Sequence, residues 1–350
     1  MCYVVRDLFM DTPRLIATGL NEFIRSHPNV ALIDQRESQL LALFLVRHPE
    51  KVSCSKNDII VSKEYRRFVR AIRFNFFFFP WLKKVVSVLP ENDHDTLKTS
   101  RNKPLIEKND QKKLHDYRIA IIGLSVGSNI AHSLGLMGCA NFVLCDHDNL
   151  ECVNFNRLLG GVDEVGINKA ELVARRLYGN NPYARIDVLD TKMTTRLLTE
   201  VHRKQKIDMV VEEIDSLEMK IEIRKWAKKY GVAVVMLTSN VHGAIIDVER
   251  YDLNRELPIL GRKEKYWTNI FLDQNGSIDK RIEIISKIVG RKYMDPRMSI
   301  ALKEIGKSLV TWPQLITAGM VEGAVGAATI LNIITRKDNK ERYRRKIAVV

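Results

Sequence analysis

The strongest order in this chain is a beat of apolar runs and helical stripes that starts near residue 117. Residues 119–122 (Ile-Ala-Ile-Ile) are apolar without a break, as expected of a strand buried on both faces, and Gly123 ends the run. Ile130, Leu134 and Met137 then recur at helical spacing, so the unit reads as strand, tight turn, helix. A second apolar strand over 141–145 ends at Asp146. From residue 169 the rhythm alternates: helix 169–177, strand 185–189, helix 194–204, strand 207–211, helix 217–230, strand 232–237. Such alternation predicts a parallel sheet with helices on both faces, with ligands beyond the carboxyl ends of the strands. After Thr238 the beat weakens, and 244–252 reads as an antiparallel extension. A helix of small residues over 315–335 carries Gly319, Gly323 and Gly326, which permit close packing inside the fold or across a dimer interface. The basic run 336–346 reads as a solvated tail.

The first 70 residues show apolar stretches of helical character broken by Pro28 and Pro49. Residues 74–81, FNFFFFPW, read as a buried strand capped by Pro80, or as a hydrophobic docking surface. The division predicted is a mostly helical N-terminal domain over 1–98, the α/β domain over 99–335 and the basic tail over 336–350.

The turn after residue 122 is GLSVGS. Ser125, Gly127 and Ser128 let the backbone approach a bound group, and a helix N-terminus behind such a turn is an anion site. Asp146 stands where a nucleotide-binding unit places the carboxylate that accepts from ribose hydroxyls. By itself the turn is also compatible with an ordinary α/β connection, because serine occupies two of the glycine positions of G-x-G-x-x-G. The polar run after Asp146 narrows the reading. Asn154 and Arg157, with Lys169 twelve residues further on, would gather donors around a triphosphate, which a dinucleotide site does not need.

With these residues in place the chain resembles the ThiF/MoeB adenylyltransferases, relatives of the ubiquitin-activating enzymes. Their pattern is a glycine turn, D-x-D, N-x-x-R, a downstream Lys and an acid after the fourth strand. The chain supplies Gly123, Asp146-His147-Asp148, Asn154-Phe155-Asn156-Arg157, Lys169 and Asp215. GLSVG, FNRL, GINKA, VVEEIDSLEMK and IDVERYDL look most like a bacterial branch often fused to a nitroreductase-like domain. The resemblance implies a Rossmann-like doubly wound, mainly parallel α/β sheet with an antiparallel extension, here beside a small helical N-terminal domain. It implies ATP as the nucleotide, Asp215 as the Mg²⁺ ligand, and Ser216 in place of the usual Asn. Arg101 and Lys103 stand where the superfamily's R-x-x-R segment sends an arginine to the neighbouring protomer's ATP, and the guanidinium fork favours Arg101. A homodimer is therefore expected. The implied substrate is the C-terminus of a ubiquitin-like sulfur carrier or a small peptide.

Composition changes this picture little. The net charge of +14 suits an acidic partner or a lysine-rich proteome alike, and nucleic acid is not an expected partner. Five cysteines at 2, 54, 139, 145 and 152 form no C-x-x-C pair, so no zinc is expected. Cys139, Cys145 and Cys152 read as core or strand-end residues rather than a thioester nucleophile. The segment MCYVVRDLF lacks the layout of a signal peptide, and no apolar run reaches bilayer length, so a cytoplasmic protein without membrane contact is expected. Two other functions stay open. An NAD-binding oxidoreductase fits Asp146 and the turn but not Asn154, Arg157 and Lys169. A nucleotide-binding scaffold without catalysis fits the serine-for-glycine changes and Ser216.

Overall fold

The computed structural model describes residues 12–272 and 278–348, so the expectations for MCYVVRDLF and for a turn at Asn275-Gly276 lie outside the described residues. The chain forms two compact units, residues 1–111 with 177–184, and residues 112–176 with 185–350.

The first unit is not only helical. Around its helices runs a four-stranded sheet of β1 (Arg14–Leu15), β2 (Ala31–Ile33), β3 (Asn75–Phe79) and β4 (Lys84–Val88), ordered β1-β3-β4-β2. Strands of two and three residues are too short to show alternation, and they exist because the aromatic hairpin β3–β4 offers them an edge. FNFFFFPW is thus a strand, closed by a turn over Pro80–Leu82 with Lys83 left-handed (φ 51°). Phe77 and Phe79 are buried. Phe77 meets Tyr183 edge-on at 4.9 Å, while the Tyr183 hydroxyl donates to the Leu89 carbonyl at 2.7 Å and accepts from Asn75 Nδ2 at 2.8 Å. These contacts are why 177–184 belongs to this unit.

The second unit is the predicted Rossmann-like α/β fold. Its seven strands are β5 (Ile119–Ile122), β6 (Asn141–Cys145), β7 (Arg185–Leu189), β8 (Met209–Glu212), β9 (Ala233–Asn240), β10 (Gly243–Arg250) and β11 (Arg342–Ile347). They lie in the order β11-β10-β9-β8-β5-β6-β7. β5 to β9 are parallel, and β10 and β11 add the antiparallel extension. The chain leaves β5 toward β6 and β7, then returns to lay β8 on the other side of β5. This reversal opens a crevice beyond the carboxyl ends of β5 and β8.

The basic run expected as a solvated tail supplies the edge strand β11. In register, Arg344 stands opposite Asp247 and Arg342 opposite Glu249, both acids almost wholly buried on β10. Arg344 Nε lies 2.5 Å from Asp247 Oδ2. The run looked like a tail because the acids that neutralise it sit on a distant stretch of chain. On the same side, fully buried Arg224 donates to Glu212 at 2.7 Å and to Glu249 at 2.5 Å, and Lys220 holds the other Glu212 oxygen at 2.8 Å. Against its burial, Glu249 and Glu212 keep Arg224 firmly protonated.

The helix Ile316–Ile334 is, by length and composition, apolar enough to cross a bilayer, contrary to the expectation that no run would be. Its glycines pack inside the fold against the helix Gly127–Met137. A Cβ at Gly323 would fall 2.8 Å from the Asn129 carbonyl oxygen, and one at Gly326 would fall 3.2 Å from Ile130.

Three variants test the role of β11. Arg344→Ala should destabilise the chain by about 3 kcal/mol, because a buried carboxylate loses its nearest partner. Adding Asp247→Asn should recover much of the loss in urea denaturation. Gly243→Ala should also unseat β11, since its Cβ would lie 2.0 Å from the Ile347 carbonyl oxygen.

Candidate functional site

Gly123 follows β5 with φ 90°, and a Cβ there would meet the Glu213 carbonyl oxygen at 2.5 Å. Only glycine lets the ends of β5 and β8 come this close. Four residues on, the helix Gly127–Met137 starts behind Val126 with no side-chain cap; the Asn129 N–H donates to the Val126 carbonyl at 3.0 Å, which leaves the Gly127 and Ser128 N–H groups for an anion. Ser128 Oγ donates to the Ser125 carbonyl at 2.8 Å and tightens the turn.

Asp146 is buried at the end of β6 and accepts from the Leu124 N–H at 2.6 Å and the Asp148 N–H at 2.9 Å. Its first task is therefore to tie the glycine turn to β6. Each carboxylate oxygen keeps a second lone pair for a ligand. Asn154 is also buried, and its Oδ1 accepts from the Glu151 N–H at 3.0 Å, closing the short turn that precedes Arg157. From that turn Arg157 reaches back to the crevice, where Nε donates to Ser125 Oγ at 3.0 Å. Nη1 donates to the Val153 carbonyl and to Asn156 Oδ1. Burial lowers the Arg157 pKa below its ordinary value, and the Asp215 carboxylate pulls it the other way. Ser125, Arg157 and Asp215 thus share one neighbourhood at the mouth of the crevice.

Lys169 is 6% exposed at the start of helix Lys169–Asn180, and its Nζ donates to Asp148 Oδ2 at 3.1 Å. Asp146, His147 and Asp148 bring ligand atoms within 4.8 Å of one another, but both Asp146 oxygens already accept from backbone N–H groups. Arg101 sits in a turn over Ser100–Asn102, within the first unit. Ser216, where the family pattern has Asn, caps the helix Leu217–Tyr230 by accepting from the Met219 N–H at 3.2 Å. The Cys145 thiol is buried, and burial pushes its pKa up to about 12, so it offers no thiolate at neutral pH.

Sequence reasoning missed a cavity of about 420 Å³ that begins at Asp215 and Val126 and runs across the ends of β8 and β9. Glu213 lines it and accepts from the Leu237 N–H at 2.7 Å. Behind the wall, beside Ser239, lies Glu322, fully buried on the helix Ile316–Ile334. Burial, and then the proximity of Glu322, raise the Glu213 pKa well above the carboxylate range, and burial pushes Glu322 up to about 8. The signal for Glu322 was a lone charge in a helix of Gly, Ala and Ile.

Residues 98–253 match the ThiF family model. Uncharacterized protein MT1398 of Mycobacterium tuberculosis is 30% identical over 317 residues, covering 89% of this chain and 41% of that protein. Ubiquitin-like modifier-activating enzyme 5 of Drosophila virilis is 31% identical over 125 residues, covering 33% of this chain and 31% of that protein. This chain spans less than half the length of either relative. Among solved structures, the E. coli tRNA N6-threonylcarbamoyladenosine dehydratase TcdA in complex with AMP superimposes with a TM-score of 0.51 at 19% identity. The match covers 69% of this chain and 96% of that one, and shows a likeness of fold.

The Glu322 pKa is raised in the folded state, so its carboxyl costs nothing while protonated in both states. The cost grows as pH rises from 4.5, the ordinary value, and is complete above about 8. Glu322→Gln should therefore melt higher than the parent at pH of about 8.5, by about 1–3 kcal/mol of stability. The difference should vanish in thermal melts near pH of about 4.5.

Proposed function

The chain carries a ThiF-family domain at residues 98–253, and from that premise we propose that it activates a carboxylate with ATP as an acyl-adenylate. The carboxylate oxygen attacks the α-phosphorus, the bond from that phosphorus to the bridging oxygen breaks, and pyrophosphate leaves with the electron pair. The observation that carries this reading is the placement of Arg157 at Ser125, in front of an uncapped helix N-terminus, with Asp215 acting on the same guanidinium. Cation, helix dipole and acid meet where a polyphosphate and its metal would each need them.

In this reading Gly123, Ser125, Gly127 and Ser128 hold the phosphate backbone, and Asp146 accepts from the ribose with its remaining lone pairs. Arg157 turns from Ser125 to a phosphate. Lys169, positioned by Asp148, neutralises the charge that builds on the leaving pyrophosphate. Asn154 acts by closing the turn that aims Arg157. The carboxylate of Asp215 suits Mg²⁺, a hard cation that would spread the phosphate charge. Arg101 serves the site of the second protomer in a homodimer. The acyl donor is the C-terminus of a ubiquitin-like carrier or peptide, in keeping with a relative named as a ubiquitin-like modifier-activating enzyme. Buried Cys145 is held protonated and is not a thioester nucleophile, and direct transfer of the adenylate to its acceptor is the simpler second step.

Isothermal titration of the full chain should show binding of ATP·Mg²⁺ and none of NAD. Tight NAD binding without ATP binding would replace this reading with a dinucleotide enzyme. Arg157→Ala should weaken ATP·Mg²⁺ by about 10- to 100-fold, the worth of a charge-assisted hydrogen bond. Arg157→Lys should recover only part of it, because the forked geometry is lost.

A further inference from the structure

The candidate phosphate groups lie at the ends of β5 and β6, whereas the cavity lies across the ends of β8 and β9. Asp215 and Val126 border both regions, so an acyl group reaching the α-phosphorus from the far side would pass through the cavity. Its lining is mixed: Met236 and Leu237 from β9, Ile282 and Ile285 from the helix Ile278–Val289, and Ile305 and Trp312 beyond it form an apolar wall, with Lys220, Thr238, Ser239 and Gln314 among the polar groups around it. A glycine-glycine tail has no side chain to cover such walls. It would leave the apolar wall of this space of about 420 Å³ bare or wet beside the reacting carboxylate.

We propose that this cavity selects a substrate whose residue at the reacting carboxylate carries a branched aliphatic or aromatic side chain, rather than a glycine tail. The proposal rests on the adenylation reading and names its substrate class. The polar part of the lining is consistent with it. Glu212 behind Lys220 is already paired, and Glu213 spends one oxygen on the Leu237 N–H. Arg281 stands in the same lining and brings a cation to the side where a carboxylate would enter.

The test uses the full chain and three probes, N-acetyl-leucine, N-acetyl-phenylalanine and N-acetyl-glycine, titrated by ligand-observed NMR, with ATP·Mg²⁺ binding measured on the same samples by calorimetry. The leucine and phenylalanine compounds should bind about 10- to 100-fold more tightly than the glycine compound, the range that burial of one large apolar side chain supports. Ile282→Asn, which puts a polar amide on the apolar wall, should abolish that preference while leaving ATP·Mg²⁺ binding unchanged. Should that variant fail to fold, Ile305→Asn makes the same change on a second wall. Equal binding of the glycine compound, binding of none of the three, or a preference that survives both substitutions would overturn the assignment. A chain that prefers leucine but ignores ATP would keep the cavity's selectivity and lose the adenylation reading; one that binds ATP without preference would do the reverse.

Discussion

The second unit depends on how closely the carboxyl ends of β5 and β8 can approach. No Cβ fits between Gly123 and the Glu213 carbonyl, and the backbone at Gly123 is in a conformation that side chains avoid. The Asp146 carboxylate then fastens the turn from a third strand by taking the Leu124 and Asp148 N–H groups. With the turn clamped on both sides, the first N–H groups of the helix Gly127–Met137 are aimed into the crevice and left without a side-chain acceptor. In the proposed reaction that helix end would favour a phosphate over an apolar group.

Around this clamp the unit holds an unusual amount of buried charge. Arg224 bridges Glu212 and Glu249, and Arg342 and Arg344 face Glu249 and Asp247 from β11. Removing one member would strand another in a low-dielectric interior, so these residues bind the edge strand and the helix Leu217–Tyr230 to the sheet as a set. Glu213 and Glu322 are handled differently. Burial raises the pKa of both, and for Glu213 the proximity of Glu322 adds to the rise while Lys220 opposes it.

The sequence displayed the parallel core well, because β5, β6, β8 and β9 are buried on both faces and read as apolar runs between helical stripes. The turn, Asp146 and Arg157 were legible too, since their spacing follows the chain from strand to turn to helix. What escaped was set by contacts distant in sequence. β1 and β2 have too few residues to announce themselves, and β11 alternates arginines whose partners lie on β10. Asn154 and Lys169 were read as phosphate donors, and nothing local says that Asn154 closes a turn or that Asp148 holds the Lys169 ammonium. The cavity is assembled from β8, β9 and residues 281–314, whose convergence no local pattern records.

The central claim is that side chains from Ser125 to Asp215 surround one polyphosphate site. The most direct measurement is a crystal structure of the full chain with Mg²⁺ and a non-hydrolysable ATP analogue. The phosphates should lie at the N-terminus of the helix Gly127–Met137, with the Arg157 guanidinium moved from Ser125 onto a phosphate oxygen and the metal on Asp215. An analogue bound elsewhere, with Arg157 still on Ser125 and Asp215 bare, would contradict it.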